Sequence, residues 1–201
     1  MVSMLMAGHE TTSNQLTWII VEITRRPEVL LLIQAELDQA FPYYEDILDA
    51  DKLLKADLKY LNRVINEAMR VNPVVAGGIL REVGSDIEHE GMLIPKGSTA
   101  IIHYYSLFRS SISQPDEFLP DRWDEAHPEY PLLKSLFVPF SLGKRNCMGM
   151  NLALLEIKIV LASLFRSFDV TLQNSDKPVD SDYFLSMKAV GVNVNVTKRI
   201  N

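Results

Sequence analysis

The sequence predicts an α+β fold that is mainly α with small antiparallel β-sheets. Three observations carry this. Apolar residues recur at helical spacing through the first third of the chain, and a dense apolar run of about 20 residues follows the only cysteine. Between and after them lie short β-prone runs punctuated by turn residues rather than by helices, which favours local antiparallel pairs over βαβ units.

Residues 1–25 read as one helix. It is small and apolar at first (MVSMLMAGHETT), then LTWIIVEITRR, with its basic residues where the helix dipole favours them. Pro27 suits the first turn of a second helix, PEVLLLIQAELDQAF, to about residue 41. After a polar connector a third helix is expected over about 55–71, with Leu58, Leu61, Ile65 and Met69 three and four apart; Pro73 ends it. ILREV, IEHEG, MLIP and STAIIHYY then read as short strands. Residues 110–137, with PDEFLPDRW, HPEY and Pro131, combine proline and aromatics without a period and read as a long ordered meander. MGMNLALLEIKIVLASLFRSF is apolar on nearly every face, the pattern of a helix buried on both sides. FDVTLQ and AVGVNVNVT close the chain as strands.

Composition narrows the function. The 201 residues are 47 % hydrophobic, enough for one domain or a large part of one. A net charge of -6 argues against a nucleic-acid partner. One cysteine excludes a disulfide within the chain and an all-cysteine metal cage. Apolar runs such as TWII and IVLASLF are too short to span a bilayer, and no basic segment precedes the first apolar stretch as in a signal peptide. The opening reads like the middle of a helix, which suggests a fragment or a chain whose beginning is not represented. No repeat, low-complexity tract or domain boundary is apparent.

The lone cysteine sits in Phe140–Gly149, FSLGKRNCMG. Taken alone, Cys147 reads as a small buried hydrophobe. Its neighbours point elsewhere. A loop enters a long helix there, and free N–H groups and a positive helix terminus favour a thiolate. Gly143 and Gly149 permit unusual backbone angles and close approach of a flat group, Arg145 supplies a fixed cation, and Phe140 can shield the sulfur. Such a thiolate suits an axial haem ligand. A cysteine protease would need a histidine base; His9, His89, His103 and His127 show no partner motif, and pairing in space stays open.

Three further features are ambiguous one by one. Glu67 and Arg70 share a helix face at i and i+3, as a functional pair or as a solvated one. In Ala7–Thr12, AGHETT, small residues leave room beside the backbone, Thr11 can bond back to the Ala7 carbonyl, and Glu10 and Thr11 put an acid and a hydroxyl beside the opening; a polar helix face gives the same letters. Arg81 in ILREV is a cation on a strand or an ordinary surface arginine.

FSLGKRNCMG resembles the haem-ligand signature F-x-x-G-x-R-x-C-x-G of the cytochrome P-450 family. EAMR at 67–70 resembles its E-x-x-R. PDRW at 120–123 resembles its P-E-R-F, with Asp for Glu and Trp for Phe, and AGHETT resembles A-G-x-D/E-T-T/S. The resemblance covers essentially the whole chain and matches the family's C-terminal half, so residues 1–201 are expected to form a partial catalytic domain. It implies a haem-thiolate monooxygenase with haem b ligated by Cys147. Phe140, Gly143, Arg145, Gly149 and Arg81 would bind the cofactor, Arg81 and Arg145 by clamping its carboxylates. Glu67, Arg70 and Arg122 would form a buried network locking meander to helix. Glu10 and Thr11 would deliver protons to dioxygen, His9 would have no role, and Val74, Val75 and Ile79 would face an apolar substrate. Phe108–Ser111, FRSS, replaces the family's His-Arg-Asp-Pro-like stretch and its histidine contact.

By the same resemblance, electrons come from NADPH through a flavoprotein reductase, docked on Lys134, Lys144 and Lys158 unless these are scattered solvated lysines. The full-length protein is expected on the cytosolic face of the endoplasmic reticulum membrane, held only by an N-terminal anchor outside this sequence. Two alternatives stand beside this reading. One is a truncated, non-catalytic product whose strands present open edges. The other is a haem-thiolate isomerase or dehydratase, although such members tend to lose the acid–hydroxyl pair that this chain keeps at Glu10–Thr11.

Overall fold

A computed structural model describes residues 2–43, 50–173, 175 and 177–199. Helix α1 (Val2–Thr24), α2 (Pro27–Ala40), α4 (Lys59–Val71) and α7 (Met150–Ser167) pack around one core. Ile19 and Ile23 of α1, Ile33 and Leu37 of α2, Leu61 and Ile65 of α4, and Leu161 and Phe165 of α7 are almost wholly buried there. Each contributes a stripe at helical spacing, so removing apolar surface from water drives the four together. Among the described residues the sheets are four antiparallel pairs: β1 (Ile79–Glu82) with β4 (Thr99–Ile102), β2 (Ile87–His89) with β3 (Met92–Ile94), β5 (Phe168–Leu172) with β8 (Val194–Lys198), and β6 (Asp180–Tyr183) with β7 (Met187–Val190). Register sets Arg81 opposite Ala100 and Val170 opposite Val196.

The expected third helix begins later than about residue 55: α4 starts only at Lys59, and the polar connector before it holds a short helix, α3 (Ala50–Lys55). The late start has a tertiary cause. Glu36 of α2 accepts hydrogen bonds from the backbone N–H groups of Tyr60 (2.7 Å) and Leu61 (2.9 Å), capping α4 from another helix. The strand expected through Tyr105 stops at Ile102; the His103 ring accepts a hydrogen bond from the Ser106 N–H and starts a single helical turn, α5 (Tyr104–Leu107). The meander contains a 3-10 turn at Pro120–Trp123 and a helix, α6 (Tyr130–Leu136), in whose first turn Pro131 is tolerated. β6 reads DSDY, with no apolar alternation to announce it.

α7 departs from the expected burial on both sides. Its C-terminal half is buried at Ile157, Leu161, Ala162 and Phe165, whereas Leu152 and Val160 are exposed. The N-terminal half borders a cavity instead of the helical core. Exposed apolar side chains also lie on β1 and β4 (Leu80, Ile101) and on the β2–β3 hairpin (Met92, Leu93). Gly78, at φ +77°, lies so close to β4 that a Cβ would stand 1.6 Å from the Ile102 carbonyl oxygen. Among the described residues no helix is long and apolar enough to cross a membrane.

Candidate active site

The site stands on a buried ion cluster that joins α4 to the meander. Arg70 grips Glu67 through two parallel bonds, Nε to Oε2 at 2.8 Å and Nη2 to Oε1 at 2.9 Å, and both side chains are fully buried. The i,i+3 spacing on α4 makes this fork possible. Arg70 also donates to the carbonyls of Pro115 (2.6 Å) and Glu117 (2.8 Å) in the meander. Glu67 in turn accepts from the Leu119 N–H and from the Trp123 indole N–H, each at 2.9 Å. Arg122 Nε lies 3.5 Å from Glu67 Oε1, a charge contact rather than a hydrogen bond, since that N–H has no bonded partner. Arg122 reaches Glu129 Oε2 at 2.7 Å and the Gln114 carbonyl at 2.7 Å.

Glu129 completes the charge balance: two carboxylates face two guanidinium groups. Burial pushes the Glu129 carboxyl up, but hydrogen bonds from Ser113 and Arg122 and the Arg122 charge outweigh it and hold the group below its ordinary value. The Phe137 ring lies 4.6 Å from Trp123 and 5.2 Å from Phe108, and so carries packing from the cluster toward the loop that bears the cysteine.

That loop is shaped by its own backbone. Ser141 and Gly143 take positive φ values of 63° and 74°, Asn146 N–H bonds back to the Gly143 carbonyl at 3.1 Å, and Cys147 N–H to the Phe140 carbonyl at 2.8 Å. The turn delivers an exposed Cys147 thiol three residues before α7 begins. Gly149 differs from the expectation: at φ -90° its backbone is one any residue adopts, and a Cβ there would merely touch the Cys147 sulfur at 3.9 Å.

Cys147 opens onto a cavity of about 490 Å³ bounded by α1, by the Val74–Ile79 segment and by residues 139–156. Its walls are mostly apolar, with Met4, Val75, Phe140 and Leu152 among them. Ala7, Gly8, Thr11 and Thr12 form the α1 side, and a Cβ on Gly8 would meet nothing within 4 Å. Arg145 also lines the cavity. Arg81 does not reach it directly; its Nη2 donates to Ser141 Oγ at 3.2 Å, and Ser141 is on the wall. Tyr104 lines the same space and carries a buried hydroxyl with no partner among the described residues.

Thr11 and Glu10 part company. Thr11 Oγ1 donates to the Ala7 carbonyl at 2.7 Å and lines the cavity. Glu10, one residue and about 100° round the helix, is not on the cavity wall. Its Oε1 accepts a hydrogen bond from Ser186 Oγ at 2.8 Å. Phe108 stands where the family's stretch has its histidine and packs on Tyr104 and Phe137, while Arg109 beside it donates to Asp116 and the Val71 carbonyl and stacks on Tyr105 at 3.6 Å.

A haem is a flat apolar ring with a soft-ligand metal centre and two carboxylates, and the residues present fit such a group. The thiol is exposed on an apolar cavity, the α1 side is cleared at Gly8, and one guanidinium lines the wall while a second is one hydrogen bond behind it. Sequence reasoning gave no role to Thr12, Tyr104, Ser141, Glu129 and Ser186. Thr12 and Ser141 fall within AGHETT and FSLGKRNCMG, and the contacts of Ser141 and Ser186 come from residues distant in the chain.

The family model described as cytochrome P-450 matches residues 1–196. The chain is 35 % identical over 173 residues to cytochrome P-450 3A6 of Oryctolagus cuniculus, covering 85 % of this chain and 34 % of that protein. It is 33 % identical over 187 residues to a dolabradiene monooxygenase of Zea mays, covering 92 % and 37 %. Among solved structures it is similar to the crystal structure of a cytochrome P-450 (CYP102L1), with a TM-score of 0.86 and 25 % identity over 98 % of this chain and 44 % of that one. The chain thus spans about a third of the length of these two curated relatives.

Two outcomes follow from the cluster. Trp123→Phe keeps an aromatic ring against Phe137 and removes the N–H that Glu67 accepts. A denaturant titration is expected to show a loss of roughly 1.5–3 kcal/mol, the usual worth of a hydrogen bond to a charged group. The second concerns pH. The folded-state depression of Glu129 stabilises the protein above its ordinary value of 4.5, and this contribution disappears as pH falls through the lower folded value. Unfolding curves of Glu129→Gln and wild type should therefore differ most at neutral pH and converge in acid.

Proposed function

The chain belongs to the cytochrome P-450 family, and from that premise we propose that it forms the cofactor-binding part of a haem-thiolate monooxygenase that inserts one atom of dioxygen into an apolar substrate. The observation that carries the reading is the exposed Cys147 sulfur at an apolar cavity whose α1 side holds Thr11. The 201 residues are one portion of a larger catalytic domain, and activity belongs to the whole protein. The exposed faces of β1, β4 and the β2–β3 hairpin support this, since apolar strand surface of that kind calls for cover.

In this reading Cys147 holds haem b as its thiolate ligand. Phe140 and Gly149 flank it, and Gly143 supplies the positive φ that turns the loop. Arg145 binds a haem carboxylate, and Arg81, steadied by Ser141, a second. When bound, the haem supplies dioxygen activation, with the thiolate's electron donation favouring O–O cleavage. Thr11 handles protons. Its own O–H is directed to the Ala7 carbonyl, so its lone pairs are what it turns to the cavity, and it accepts a hydrogen bond there. Its own proton stays against Ala7, so Thr11 orients a proton donor in the cavity without giving up its own. Glu10, the acid of the pair, supplies protons only after leaving Ser186. Val74, Val75 and Ile79 offer the substrate an apolar wall. Glu67, Arg70 and Arg122 hold the site and do not react.

The electrons come from NADPH through a flavoprotein reductase. Lys144, exposed in the turn beside Arg145, is the best placed of the basic residues to meet it; Lys158 is half-buried, and Lys134 lies over the Tyr130 ring. The whole protein resides on the endoplasmic reticulum membrane. The acid–hydroxyl pair favours oxygen chemistry over a haem-thiolate isomerase or dehydratase.

The ligand assignment is tested on the whole protein. Cys147→Ser is expected to abolish the thiolate-type absorption band of the reduced, carbon-monoxide-treated protein, and an unchanged band overturns the assignment. Thr11→Ala is expected to divert oxygen consumption from product to peroxide in turnover with reductase; unaltered coupling removes Thr11 from the proton path.

A further inference from the structure

Residues 10, 14 and 18 lie four apart on one stripe of α1, and all three bind the β6–β7 hairpin. Ser186, 2 % exposed, donates its hydroxyl to Glu10 Oε1 at 2.8 Å and accepts from Asn14 Nδ2 at 2.8 Å. Trp18 Nε1 donates to the Met187 carbonyl at 3.0 Å. One buried hydroxyl therefore spends its proton on the carboxylate and a lone pair on the amide, which fixes both its rotamer and the carboxylate oxygen it holds. The hairpin is tied equally to the cavity wall. Met187 N–H donates to the Val74 carbonyl at 2.7 Å, and Gly77 N–H donates to the Tyr183 hydroxyl at 3.2 Å. The residues beside Ser186 in the turn, Phe184 and Leu185, are exposed at 93 % and 53 %.

We propose that Ser186 is a positioning residue for Glu10: it holds the carboxylate against the β6–β7 turn, away from the cavity that Thr11 lines, and makes release of the acid depend on where that turn sits. The proposal rests on the proton-handling reading of Glu10 and Thr11. It follows from the two stripes of α1. Met4, Ala7 and Thr11 turn to the cavity while Glu10, Asn14 and Trp18 turn to the hairpin, so Glu10 can serve the cavity only by giving up the Ser186 bond. A displacement of the hairpin that pulls Ser186 from α1 frees the carboxylate and leaves Thr11 untouched. Asn14 keeps the hydroxyl in register in the meantime.

The test compares Ser186→Ala with Ser186→Thr, which keeps a hydroxyl, in the whole haem-loaded protein with its reductase. Ser186→Ala is expected to change the ratio of peroxide to product severalfold at unchanged substrate dissociation constant, Ser186→Thr to stay near wild type, and Ser186→Ala to add nothing in a Glu10→Gln background. A second readout needs no turnover. Hydrogen–deuterium exchange of residues 183–190 should quicken about tenfold in Ser186→Ala and in Glu10→Gln, and no further in the double variant, as for loss of one charge-assisted bond. Equal peroxide ratios in wild type and Ser186→Ala, or additive exchange effects in the double variant, overturn the proposal. Failure of the haem reading itself appears separately, in the Cys147→Ser spectrum, and leaves the exchange arm intact.

Discussion

The Glu67 carboxylate, buried without a water-facing atom, is the constraint on which the rest of the structure depends. Burying one charge costs several kcal/mol unless it is matched, and a lone arginine would leave the opposite excess once Arg122 is brought in. The chain resolves this with four charges, Glu67, Arg70, Arg122 and Glu129, plus the Leu119 and Trp123 N–H groups. Arg70 and Arg122 are then free to satisfy meander carbonyls that have no strand or helix partner of their own. An irregular segment of this length holds one conformation because its backbone is answered by buried side chains.

The constraint reaches the cavity by packing. Trp123, fixed by Glu67, presses on Phe137, and Phe137 begins the stretch that turns through Ser141 and Gly143 to Cys147. At the other end, Asn72 closes α4 and binds Glu22 of α1 at 2.6 Å while its carbonyl accepts from Gln15 at 3.3 Å. α1 and the cysteine loop are thus both referred to α4, one through its C-terminus and the other through the ion cluster, so the gap between them is set by rigid parts.

Local pattern revealed what is local. The helical stripes of α1, α2 and α7, the β-prone runs and the FSLGKRNCMG turn could be read because each depends on residues near in sequence. So could the Glu67–Arg70 fork, whose two members share one helix turn. What escaped has partners far away. Glu36 caps α4 from α2 and so sets where that helix starts, and Ser186 meets Glu10 across 176 positions. The half-exposed α7 shows the converse error. Its apolar N-terminal half lines a cavity, and hydropathy alone does not distinguish a wall from a core.

The substitution of Trp for Phe at position 123 illustrates how one departure can be both neutral to packing and consequential for charge. A phenylalanine fills the space beside Phe137 but offers Glu67 nothing, leaving Leu119 and the arginines to satisfy the carboxylate. The indole adds a donor at 2.9 Å to Oε2, the oxygen that Arg70 Nε already holds, while the longer 3.5 Å approach of Arg122 Nε falls on Oε1. The indole N–H therefore takes up hydrogen-bonding capacity that Arg122 does not fill, and Arg122 is left to turn its Nη groups to Glu129 and the Gln114 carbonyl. In this chain the meander is gripped by two side chains from the same 3-10 turn, one neutral and one charged. The Arg122 tie to Glu129 weakens once that carboxylate takes a proton.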